Sequence, residues 1–233
     1  MNEFFLNSAY FGVVLSLVTY FFGTYIRKKI NFPLFNPLLI AIVLTAAVLL
    51  IFKIDYEVYN ASAKYISYLL TPATVALAIP LYEQLDALKN NWKAIIAGIF
   101  SGVVTSLLSI LAMSVIFGFT HEEYVTFLPK SITTAIGMGV SEELGGYVPV
   151  TVAIIIITGV LGSVIAETVL KIFRIKDPVA KGIAIGTASH AVGTSKAMEI
   201  GKTEGAMSSL SIVVAGIITV IGASFLLLYI KLA

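Results

Sequence analysis

Residues 182–205 read GIAIGTASHAVGTSKAMEIGKTEG, and residues 130–146 read KSITTAIGMGVSEELGG. Both stretches are dense in Gly, Ser and Thr, both carry charge, and both interrupt an otherwise apolar chain. Hydrocarbon offers backbone N–H and C=O groups no hydrogen bonds. Irregular polar backbone therefore persists at membrane depth only where protein or a wet cavity covers it. The pair points to a polar site built inside a membrane protein, not to a simple anchor.

Composition agrees. Of 233 residues, 58% are hydrophobic and 12% charged, where a soluble domain carries about 25% charged residues. Mean hydropathy is +0.98. A net charge of +2 gives no reason to expect a nucleic-acid partner. Without Cys there is no disulfide or thiolate chemistry, and the two histidines, His121 and His190, make no metal cluster. There is no Walker motif, no second His of a zinc-protease motif after His121-Glu122-Glu123, and no G-x-S-x-G elbow. No catalytic residue, cofactor or metal is expected, and the chain reads as a non-enzyme.

Crossing a bilayer as a helix takes about 20 mainly apolar residues. Candidate spans are 6–26, 35–53, 61–80, 94–118, 149–171, 180–198 and 208–231, an all-α polytopic pattern of about seven helices. The first is too long for a signal-peptide core and no A-x-A site follows it, so it reads as a retained span. Segment 129–147, broken by Gly137, Gly139, Gly145 and Gly146, reads as re-entrant. Basic clusters at Arg27–Lys29, at Lys89 and Lys93, and from Lys171 to Lys181 belong in the cytoplasm. Placing all three there requires segment 129–147 to return to the side it entered from. It also puts the N-terminus outside and the C-terminus inside the cell membrane.

A short internal match pairs Ile95-Ile96-Ala97-Gly98-Ile99 with Val213-Val214-Ala215-Gly216-Ile217. Upstream, Ala73–Ala76 stands opposite Ala191–Thr194. The match suggests one domain over 1–233, in halves of about 1–120 and 121–233. Inverted repeats with discontinuous helices are a mark of secondary transporters.

Ser189, His190, Gly193 and Thr194 form the sharpest constellation. Helical spacing places His190 and Thr194 on one face. Glycines there would let the helix unwind and present N–H groups to an anion. The competing reading is that small residues merely permit close helix packing; an ionisable residue at mid-membrane favours a functional one. Lys130, Ser131, Thr133 and Thr134 form the second set, followed by Glu142 and Glu143, which either belong to the site or lie in water. Thr74 follows Pro72 in the third span, where proline breaks the helix. Glu142, Glu143, Lys130, Lys196 and Asn36 are candidates for coupling or support.

These same residues resemble the LrgB/CidB family. The resemblance is carried by Phe35–Leu39, Pro72–Tyr82, Pro129–Thr134, Ser141-Glu142 with Gly145-Gly146, and Gly186–Thr194. Ala135 and Gly139 depart from the pattern expected of the family. The resemblance implies two roles. One is carriage of small monocarboxylates of the pyruvate, glycolate and glycerate class by alternating access, as in the similar plastid glycolate/glycerate transporter. The other is antiholin-like control of murein hydrolase export and autolysis with a small LrgA/CidA-type membrane partner. Lipid bilayer, a small anionic carboxylate and that partner are the expected contacts, and a homo-oligomer is compatible with them.

Overall fold

The computed structural model describes residues 8, 10–30, 35–69, 72, 75–76 and 78–230, and Thr74 lies outside them. All regular elements among them are helical. The chain divides into two compact units, 1–76 and 77–233.

The first unit contains α1 (Phe11–Lys29), α2 (Pro37–Ile51) and α3 (Tyr56–Ser67). Pro37 occupies the first turn of α2, where its missing N–H costs nothing. Asn36 caps that helix by accepting from the Leu38 and Leu39 amides at 2.8 and 3.3 Å. The helices approach at small residues: a Cβ on Gly23 would stand 2.6 Å from the Pro37 carbonyl oxygen. Hydroxyls close the remaining gaps, Ser16 with Tyr59 at 2.7 Å and Thr19 with Thr45 at 3.0 Å.

The second unit runs α4 (Ala78–Glu83), α5 (Leu85–Phe117), α6 (His121–Phe127), α7 (Thr134–Leu144), α8 (Val148–Ile172), α9 (Pro178–Ile200) and α10 (Lys202–Ile230). Three stretches are long and apolar enough to cross a membrane: Leu85–Phe117, Val148–Ile172 and Lys202–Phe225. They frame the unit. Its core joins α5, α6, α7 and α10 through residues such as Ile99, Val103, Val125, Leu128 and Met207.

Two segments do not cross. At a rise of about 1.5 Å per residue, the 7 residues of α6 and the 11 of α7 are each far short of a bilayer. They lie side by side and antiparallel, with His121 Nε2 on the Leu144 carbonyl at 3.1 Å. Pro129, in the connection between them, packs near Gly137.

The expected span 180–198 is the larger departure. Inside α9 the backbone of His190 turns to φ 41, ψ −137. A Cβ on Gly193 would stand 3.0 Å from Ile185 Cγ2, a contact across eight residues that a straight helix holds about 12 Å apart. The helix therefore folds back at His190 into two arms, 178–189 and 191–200. Its neighbours give the directions. Gly182 faces Glu204 and Met207 while Gly186 faces Ser208 and Ser211, so the first arm runs parallel to α10. Thr194 meets Ser208 and Met198 meets Gly205, so the second arm runs against it. Neither arm alone reaches the length of a span. Hydropathy merged them because it sums composition along the chain and is blind to a one-residue reversal.

Candidate functional site

The reversal at His190 is the centre of the polar chemistry. A left-handed φ with this ψ is rare for any residue bearing a Cβ and costs about 1–3 kcal/mol. The surroundings hold it there. The His190 ring packs against Gly159 of α8, where an added Cβ would stand 2.6 Å from Cε1. Its Nε2 lies 3.0 Å from the Ile155 carbonyl. A carbonyl can only accept, so Nε2 carries the proton, and a neutral ring keeps Nδ1 as an acceptor. The Ser189 side chain fits against Gly162, one turn further along α8.

Below the tip, Thr194 Oγ1 donates to the His190 carbonyl at 2.9 Å, tying the second arm to the reversal. That uses its only proton, so in the 2.7 Å contact between the Thr194 and Ser208 hydroxyls Ser208 is the donor. Thr194 and Ser208 are fully buried, and Ser189 and His190 nearly so. Gly193 lies in the crevice between the arms. The sequence-predicted group Ser189, His190, Gly193 and Thr194 is thus one cluster.

The second predicted group approaches from the other hairpin. Lys130 Nζ donates to Ser131 Oγ at 2.9 Å and to Ser106 Oγ of α5 at 3.3 Å. Among the described residues no carboxylate lies within ion-pairing distance of this ammonium. Thr133 is the N-cap residue of α7, yet its hydroxyl caps none of the first-turn N–H groups. Those amides, on Thr134 and its successors, carry the positive end of the helix dipole.

Shared neighbours relate the two tips. Gly137, in the first turn of α7, rests on the Ile155 side chain, and the Ile155 carbonyl meets His190. On α5, Gly102 faces Thr187 of the first arm, and Ser106, one turn further along, faces Lys130 and Ser131. Each tip therefore touches the same stretch of α8 and adjacent turns of α5. The Lys130 cation and its hydroxyl neighbours on one hairpin, and the His190 imidazole with its hydroxyl neighbours on the other, thus have α8 and α5 in common.

Other predicted residues stand elsewhere. Glu142 and Glu143 are exposed on the last turn of α7. Ser141 of the same turn is buried and hydrogen-bonds the Thr151 hydroxyl at 2.7 Å, stapling α7 to α8. Lys196 lies down the second arm, 2.8 Å from Glu167 and 3.1 Å from Glu199. Asn36 caps α2 in the other unit. Sequence reasoning missed Ser106, Ile155, Gly159, Gly162 and Ser208. The Gly159-x-x-Gly162 pair was a usable signal, since small residues on one face of an apolar helix mark a close approach.

A family model described as the LrgB-like family matches residues 16–229. The chain belongs to that family. "Antiholin-like protein LrgB" of Bacillus cereus strain B4264 is 39% identical over 91% of this chain and 93% of its own length. The proteins of the same name from Bacillus cereus strain AH187 and Bacillus anthracis strain CDC 684 / NRRL 3495 are similar to this LrgB-like chain to the same degree. These names accord with the antiholin-like expectation better than with carboxylate carriage. No solved structure matches. The chain is an LrgB-like membrane protein.

Proposed function

We propose that this LrgB-like chain acts in the cell membrane as an antiholin-like protein whose working part is a small-anion carrier. The names of its relatives support the first half of that reading. The reversal at His190, packed against the stretch of α8 that the α6–α7 hairpin also touches, carries the second. In this reading a monocarboxylate such as pyruvate, glycolate or glycerate sits between the tips, drawn by Lys130 and the α7 N-terminus. Thr133, Thr134 and Ser189 supply donors, and His190 Nδ1 is available to take a proton. Carriage needs no covalent step, so we assign no enzymatic activity. An LrgA/CidA-type membrane partner or self-association belongs to the antiholin-like side.

A two-halved, inverted construction supports alternating access. The end of α2, Ile51-Phe52-Lys53-Ile54, and the end of α8, Ile172-Phe173-Arg174-Ile175, place a basic residue at positive φ, 50 and 55. In each, the following Ile amide returns to the carbonyl five residues back, at 2.8 and 2.9 Å. Asp55 and Asp177 are the N-cap residues of the next helices. In the order of the chain, α3, the Pro72 region and α4 then precede α5 as the two arms of α9 precede α10.

Uptake of labelled pyruvate, glycolate and glycerate into proteoliposomes, with and without the small partner, tests the carrier. We expect saturable flux that His190→Ala reduces at least tenfold; no flux for any of the three removes the carrier reading. Lysis timing in cells producing His190→Ala tests the link: unchanged lysis control with abolished uptake leaves the antiholin-like role standing alone. Single cysteines at Lys28 and Ile175 are expected to label from one face of the membrane, and labelling from opposite faces defeats the inverted arrangement.

A further inference from the structure

At the base of the α9 hairpin, away from its tip, a cavity of about 520 Å³ opens between α8, the 173–177 loop and both arms. Five cations line it: Lys171, Arg174, Lys176, Lys181 and Lys196. The carboxylates there are Glu167 and Glu199, both engaged by Lys196 at 2.8 and 3.1 Å. Lys171 leans on Glu167 and Lys181 on Glu204, each at 3.8 Å. Among the described residues, Arg174 and Lys176 have no carboxylate within 4.0 Å, so the rim keeps an uncompensated positive charge.

The backbone makes this arrangement costly. Arg174 follows the C-cap of α8 at φ 55, a left-handed position where glycine is the low-strain choice. A large cation held there at the expense of strain directs attention to its charge. The floor is apolar, formed by Leu170, Ile175 and Ile200. The pocket sits at the end of a helix long enough to cross a membrane, whose other face carries the exposed Leu161, Ile165, Val169 and Ile172, and Phe173 at its C-cap is 72% exposed. A phosphate headgroup meets the cations at this helix end, and Leu170, Ile175 and Ile200 beside them offer acyl chains an apolar contact that a soluble phosphate ester does not use.

We infer that this pocket binds the phosphate headgroup of an anionic glycerophospholipid, tying the two arms of the hairpin to the end of α8. Basic pockets between membrane helices suit such headgroups. The inference does not depend on what passes the hairpin tip.

Native mass spectrometry of the purified full chain, offered equal phosphatidylglycerol, cardiolipin and phosphatidylcholine, tests it, with glycerol 1-phosphate as the soluble ester. The wild type is expected to retain anionic lipid at least tenfold over phosphatidylcholine. Arg174→Ala with Lys176→Ala is expected to lower that retention about fivefold per cation removed. Arg174→Gly relaxes the backbone while deleting the charge, so its unfolding temperature should hold or rise as lipid is lost, which separates loss of binding from misfolding. Equal retention of phosphatidylcholine, or unchanged retention by the double variant, overturns the inference. So does capture of glycerol 1-phosphate without retention of lipid, which assigns the pocket to a soluble ester.

Discussion

The α6–α7 hairpin and the hairpin within α9 reach toward the same stretch of α8, but different forces hold them. The first turns through a six-residue connection, 128–133, and is stapled by side chains. The Thr151 hydroxyl donates to the Thr126 carbonyl at 3.0 Å and shares a 2.7 Å hydrogen bond with the Ser141 hydroxyl, and the Tyr147 amide donates to the Thr126 hydroxyl at 2.8 Å. A capping box at Thr120 and Glu123 fixes its start. The second reverses at one strained residue and, besides the hydrogen bonds from His190 to Ile155 and between Thr194 and Ser208, is held by close packing onto Gly159 and Gly162 of α8 and, through its own Gly186, onto α10. Hydrogen-bond staples keep a wedge in one shape. Strain balanced by small-residue packing can be released by a modest change in that packing, which suits a moving part.

Gly162→Val should break the comparison most severely. Its methyls need the space of the Ser189 side chain, and overpacking of this kind costs about 3 kcal/mol or more. Loss of the folded species by size-exclusion chromatography and thermal unfolding is expected; an unchanged unfolding temperature would show that the α9 hairpin is not packing-limited. His190→Gly comes next. It relieves the left-handed strain but deletes the bond to Ile155, so stability should stay nearly level while uptake falls about tenfold, equivalent to about 1.4 kcal/mol. A large drop in stability with uptake intact would make His190 a purely structural residue.

Thr151→Val cuts the staple of the other hairpin. Side-chain hydrogen bonds in membranes are worth about 0.6–1.7 kcal/mol, so a loss of about 1 kcal/mol with faster amide exchange across 137–147 is expected. Exchange that speeds instead around 186–194 would show that the two hairpins move together. The smallest effect is an increase. The buried Tyr124 hydroxyl of α6 lacks a hydrogen-bond partner among the described residues, and burial pushes its phenol up to about 12. Tyr124→Phe should raise stability by up to about 1 kcal/mol; a loss would mean that the hydroxyl has a partner when the protein sits in lipid.

Much was legible in the chain. The Gly-, Ser- and Thr-rich breaks and the closeness of Ser189, His190, Gly193 and Thr194 follow from residue types and helical spacing. The motifs also led to the LrgB-like family, which the 16–229 match shows. Other features could not be read. Glu142 and Glu143 were open between site and water because a helix of 11 residues presents neighbours to opposite surroundings, and only its docking decides which face is wet. The five-residue repeat match also lands unevenly: Ile95 and Ile99 are buried, whereas Val213 and Ile217 are exposed.

By itself the sequence determined composition-level facts and local breaks: a membrane chain, where its helices weaken, and which residues at those points carry donors or charge. These depend on near neighbours along the chain. Only the tertiary structure decided that α9 folds back and that both tips share α8 as a neighbour. The reason is physical. A positive φ at His190 costs more than the local sequence returns, so it persists only because Gly159, Gly162 and the Ile155 carbonyl, about thirty residues away in the chain, are packed against it.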